Sequence, residues 1–124
     1  MHMPKIRIHS AVISPEETIT KEAIGILQDN KIIYKEDNVD VTILIFDNKI
    51  RLSRVSEQYE LNMEFIKDEE VPGNYIIEKN INIDLKTKTN ILKIDKSNII
   101  IEYELKLADE EIGRFNFEIK YEVI

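Results

Sequence analysis

Arg54 is the residue of this chain best equipped for chemistry, because strand parity sets its guanidinium on the apolar side of an alternating segment. A guanidinium presents a planar fork of donors that suits a carboxylate or a phosphate, and on an apolar face it needs such a partner. Four other polar residues fall on the same phase: Ser10, Glu36, Thr87 and Thr89. Glu36 ends one up-going strand and Arg54 ends the next but one. A meander therefore brings both to one end of the sheet, about 10 Å apart across two strand spacings. Two chemistries fit that placement. One is an ion pair that plugs the end of the sheet. The other is an anchor for the carboxylate or phosphate of a small ligand, with Thr87 and Thr89 supplying hydroxyls. The ion pair is the expected state, and the two threonines read more plainly as strand residues at a bend.

Other catalytic and binding chemistries find little to build on. The chain has no cysteine, so it offers no thiolate nucleophile, disulfide or cysteine zinc site. His2 and His9 are the only histidines and sit on or before one exposed strand face. A metal centre needs about three convergent ligands, so both read as surface residues. Three scattered glycines cannot form a phosphate-cradling loop, and no serine, histidine and aspartate are spaced as a triad. The numerous carboxylates fall on polar strand faces and in turns, where water solvates them. The expectation is a protein that is not an enzyme, with no cofactor and no metal.

With a net charge of -7 the chain opposes the electrostatic attraction that carries most nucleic-acid binding. No apolar run approaches the roughly 18 residues of a membrane span. Met1 to Ser10 alternates instead of showing the apolar core of a signal peptide. These features point to a soluble, cytoplasmic protein. Its 124 residues fit one domain, 1–124, able to bury about two thirds of its unfolded surface.

The elements that must position Glu36 and Arg54 are strands. Asp-Asn recurs at positions 29, 37 and 47, and Asx residues tolerate the left-handed conformations of tight turns. Between these marks apolar and polar residues alternate with period two. Strands are predicted over 5–13, 18–28, 31–36, 39–46, 49–54, 57–67, 75–79, 81–94, 98–107 and 113–123. Asp68 to Asn74, with Pro72-Gly73, reads as the longest loop. The segment 81–94 is too long to run straight and should bend near Thr87 to Asn90. Ser14-Pro15-Glu16-Glu17 carries a helix-capping signature, but Thr18, Ile19 and Thr20 favour a strand after it, so a turn is expected there. On the inner face belong Met63, Phe65, Ile101, Tyr103, Leu105, Phe115, Phe117 and Ile119. Eight to ten such strands bury one apolar face best by closing on themselves, and the expected fold is all-β, an eight-stranded antiparallel meander barrel.

The run Gly25 to Glu36 (GILQDNKIIYKE), Ile50 to Arg54 (IRLSR), Met63 to Phe65 (MEF), Tyr75, Leu85 to Thr89 (LKTKT), Ile101 to Leu105 (IEYEL) and Ile112-Gly113 resembles the YwiB-like family of bacterial proteins. The likeness covers about Ile19 to Tyr121. It implies a calycin-type, lipocalin-like β-barrel of unknown function and no catalytic residue. Two glycines usual in that family are absent here, one shortly after the arginine matching Arg54 and one following the tyrosine matching Tyr75, which implies different turns at those points. Two roles follow. By analogy with calycins the barrel would hold a small apolar or amphipathic molecule. Alternatively it is a filled, non-enzymatic interaction or structural module, and the crowding of Ile, Leu, Phe and Tyr on the inner phase favours a solid interior. The oligomeric state is left open, a homodimer included.

Overall fold

The computed structural model describes residues 3–124, so His2 lies outside the described residues. Ten strands follow one another: β1 (Lys5–Ile13), β2 (Thr18–Gln28), β3 (Lys31–Glu36), β4 (Val39–Ile45), β5 (Lys49–Val55), β6 (Tyr59–Ile66), β7 (Glu70–Ile77), β8 (Ile81–Ile94), β9 (Asn98–Leu107) and β10 (Glu110–Val123). Each is antiparallel to its neighbours in the chain, and β1 pairs with β10 from Ile6↔Val123 to Ile13↔Asn116, closing an up-and-down barrel. All ten segments enter the wall, the upper end of the expected range.

Asp37-Asn38 (φ 48° and 67°) and Ala108-Asp109 (φ 48° and 66°) put two consecutive residues in the left-handed region, as a two-residue turn that matches strand twist requires. Glu78 and Lys79 (φ 52° and 67°) are also left-handed, without an Asx or glycine at either position, in a three-residue turn completed by Asn80. Ser14 closes β1 to β2 with the groups a helix cap would have used. Its N–H donates to the Glu17 carbonyl at 2.9 Å, and its hydroxyl oxygen accepts from the Glu17 N–H at 3.2 Å. The expected bend in β8 is a bulge, where the register with β9 shifts between Thr89 and Ile91.

The inward side chains form one core. Its lower half, at the end bearing the Asp29-Asn30 and Asp47-Asn48 turns, is sealed. Ile6, Ile32, Ile43, Ile50, Phe65, Ile99, Ile101 and Ile119 have no accessible surface at all. A void able to admit water would leave such surface on its walls, so this half is solid. Phe65, Tyr103 and Phe115 stack upward from it, with ring centroids 4.9 and 5.6 Å apart. Toward the upper end the lining becomes half-buried, at Val12, Leu61, Tyr75, Leu105 and Leu107.

Two seams interrupt the wall, each marked by a glycine facing inward. β6 pairs with β7 only from Tyr59↔Ile77 to Asn62↔Asn74. Below that point β6 crosses to β8. The Thr87 hydroxyl donates to the Glu64 carbonyl at 2.6 Å, the Asp68 N–H donates to the Thr89 carbonyl at 2.7 Å, and the Thr89 N–H donates to the Glu69 carbonyl at 3.3 Å. A Cβ on Gly73 would overlap the Asn62 carbonyl oxygen and lie 2.6 Å from Leu85 Cδ1. This seam corrects the reading of Asp68 to Asn74 as a loop: β7 begins at Glu70 and runs through Pro72-Gly73, paired with β8 alone from Glu70 to Gly73. Proline is tolerated because β7 is an edge strand there, and glycine is required because another backbone crosses it. The second seam lies between β2 and β3. They pair only from Gly25↔Tyr34 to Gln28↔Lys31, and a Cβ on Gly25 would sit 2.6 Å from the Ile33 carbonyl oxygen.

Candidate functional site

The upper end of the barrel gathers the polar groups that the inner face carries. Arg54 stands on β5 opposite Val41 of β4 and Leu61 of β6, and Glu36 is the last residue of β3, opposite Val39 of β4. With β4 between them, the two side chains reach across valines and meet: Arg54 Nη2 donates to Glu36 Oε1 at 3.2 Å. Arg54 Nε points to the Tyr59 hydroxyl oxygen at 3.5 Å, at the limit of a hydrogen bond. Tyr59 in turn packs edge-on against Tyr75, ring centroids 5.8 Å apart. The Glu36 side chain is 11% exposed and that of Arg54 26%, so the pair is mostly, but not fully, removed from water.

Burial works against the Arg54 charge. The Tyr59 hydroxyl and the Glu36 carboxylate outweigh it and hold its pKa above the ordinary guanidinium value. The Tyr34 phenol, buried beside the pair, is pushed up to about 12 by burial and by the Glu36 charge, with Arg54 opposing. A second, exposed ion pair extends the cluster. Lys21 Nζ lies 2.7 Å from Asp37 Oδ2, bridging β2 to the β3–β4 turn across the upper seam. Its hydrogen bond raises the Lys21 pKa and lowers that of Asp37.

The structure thus joins Glu36 and Arg54 and separates both from the threonines. Thr87 is fully buried, with its hydroxyl committed to the Glu64 carbonyl in the lower seam. Thr89 is also fully buried, and its hydroxyl has no partner among the described residues. With no accessible surface, it has no room for a water or a ligand. Ser10 is half-buried opposite Lys21 and Ile119. His9 makes a surface contact, Nδ1 to Glu22 Oε1, at 3.0 Å. Among the described residues no group of three or more His, Cys, Asp or Glu side chains is placed to hold a metal ion. Sequence reasoning missed Lys21, Asp37, Tyr59 and Tyr75 as members of the cluster. Lys21 carried a usable signal, since it shares the phase of Ile19 and Ala23. The tyrosines carried none, because on an inward phase they read as core.

A structural role for the Arg54 pair has a measurable consequence. Arg54→Met leaves Glu36 mostly buried without its partner. The discount for partial exposure brings the usual penalty for breaking a buried pair down to about 2 kcal/mol. Chemical denaturation should show that loss and its partial recovery in the double variant Glu36→Gln/Arg54→Met. An unchanged midpoint for Arg54→Met would show that the guanidinium is free for another task.

The model of a family described as a domain of unknown function, DUF1934, matches residues 5–119. The chain belongs to this family. Its fold is similar to that in the crystal structure of the YwiB protein from Bacillus subtilis, with a TM-score of 0.68, 16% sequence identity, and coverage of 98% of this chain and 92% of that one. At that identity the likeness establishes the fold. No curated protein matches the sequence. Among the described residues no helix is long and apolar enough to cross a membrane.

Proposed function

We propose that this domain is a non-enzymatic, cytoplasmic interaction module whose barrel wall, rather than its interior, meets the partner. The observation that supports the reading is the solid lower half of the barrel, where inward isoleucines and Phe65 have no accessible surface. A calycin-type ligand pocket needs unfilled volume at that depth, and these side chains occupy it. The strongest donor on the inner face is spent within the protein, on Glu36 and Tyr59. The setting is the reducing one that a cysteine-free chain fits.

Titration with laurate, an anionic amphiphile, tests this reading. In methyl-labelled protein the signals of Ile43, Ile101 and Ile119 should stay fixed up to millimolar ligand. Saturable shifts of these inward methyls would contradict the reading and favour a ligand-binding barrel.

A further inference from the structure

A closed barrel has no sheet edge, yet β2 has one. Above Gly25 it pairs with β1 alone, from Ala23 to Thr18, while β3 turns away at its seam. The direction of the main-chain groups follows from the two ends of the β1–β2 ladder. Leu27 N–H donates to the Pro4 carbonyl and Ser14 N–H to the Glu17 carbonyl, so odd-numbered residues of β2 turn their main-chain groups toward β1. Thr18, Thr20 and Glu22 turn theirs away, into the position β3 leaves empty. These residues are exposed, and Ile19 beside them is 45% exposed. An open row of alternating donors and acceptors is a template for one more strand.

The charge on this edge selects among occupants. On the inner phase of β2 stand Ile19, Lys21 and Ala23, with Lys21 joined to Asp37 by an exposed bridge that spans the opening. An inward-pointing lysine on an edge discourages indiscriminate pairing. It also argues against a second copy of this chain. Two antiparallel copies related by a two-fold axis place residues of the same face opposite each other. That face of β2 offers Lys21 only Ile19, Ala23 or another Lys21 within the free stretch.

We propose that the upper edge of β2 accepts an extended segment of a different protein, paired as an added strand, with an acidic side chain facing Lys21 and small or apolar residues facing Ile19 and Ala23. The acid takes over Lys21 from Asp37. The exchange costs little because the existing pair is exposed to solvent on both sides. The proposal rests on the reading of the domain as an interaction module and names its surface and the chemistry of its partner.

Displayed linear nonapeptides panned against the full chain, followed by titration of the selected end-blocked peptides into ¹⁵N-labelled protein, test it. The selected peptides should carry an acid between apolar or β-branched residues and shift the amides of 18–23 together with Lys35 and Glu36. Lys21→Glu should weaken binding at least tenfold. Glu22→Pro should do the same at an unchanged melting midpoint, since it deletes an edge N–H that carries no ladder bond in the free protein. Panning that yields no binder, binders unaffected by Lys21→Glu, or a wild-type dimer dissolved by Glu22→Pro would each overturn the proposal. Binders that map to another face would overturn the edge and leave the interaction reading standing, whereas saturable laurate shifts would overturn that reading itself.

Discussion

Phe65→Ala should lower the unfolding free energy by about 3 to 5 kcal/mol, read from urea denaturation midpoints at constant slope. Phe65 has no accessible surface and lies at the foot of the aromatic stack, against Tyr103. It sits opposite Ile50, itself fully buried, so neighbours on both sides are fixed in the sealed half of the barrel. Removing the ring takes away its burial and leaves a cavity that β-branched neighbours on rigid strands fill poorly. The outward Lys120→Ala should cost about 0.5 kcal/mol or less. Equal costs for the two would mean that the strand phase, and with it the solid interior, is wrong.

The second large effect is expected where a side chain is added. Gly73→Ala places a methyl group against the Asn62 carbonyl oxygen and Leu85 Cδ1 at the lower seam. Overpacking usually costs 1 to 3 kcal/mol, and the top of that range, about 3 kcal/mol, applies because the obstacle is backbone. Shortening Leu85 in the same chain would not restore stability, because the Asn62 carbonyl stays. The loss should appear in thermal and chemical melts, accompanied by amide shifts along β6 and β7. An alanine variant of native stability would show that the two strands do not cross at Gly73.

The same seam explains what could be read from the sequence and what could not. Alternation located every strand whose two faces differ, including the inward set from Met63 and Phe65 to Phe117 and Ile119, all of which lie in or against the core. It also located the bend in β8. The start of β7 was hidden because Pro72-Gly73 is turn chemistry in isolation, and only the crossing of β6 turns it into edge-strand chemistry. The hairpin across Ala108 to Glu111 and the break before Ile81 were legible from interrupted alternation, although strand twist there imposes left-handed conformations on residues such as Ala108, Glu78 and Lys79 that bear no Asx or glycine mark. At the site, parity and topology were enough to place Glu36 beside Arg54. The distinct roles of Thr87 and Thr89 were not legible, because each depends on a backbone segment from β6 or the β6–β7 turn that lies more than fifteen residues away in the chain. The opening above Gly25 was likewise invisible: β2 and β3 are neighbours in sequence, and nothing in their composition says that they separate after four residue pairs.

Native mass spectrometry of the freshly purified chain tests the central claim, a filled barrel that works through its wall, most directly. The account predicts the bare polypeptide mass, or a whole multiple of it, with no additional small molecule retained under gentle conditions. A stoichiometric adduct that survives gentle ionisation and is released on unfolding would contradict it.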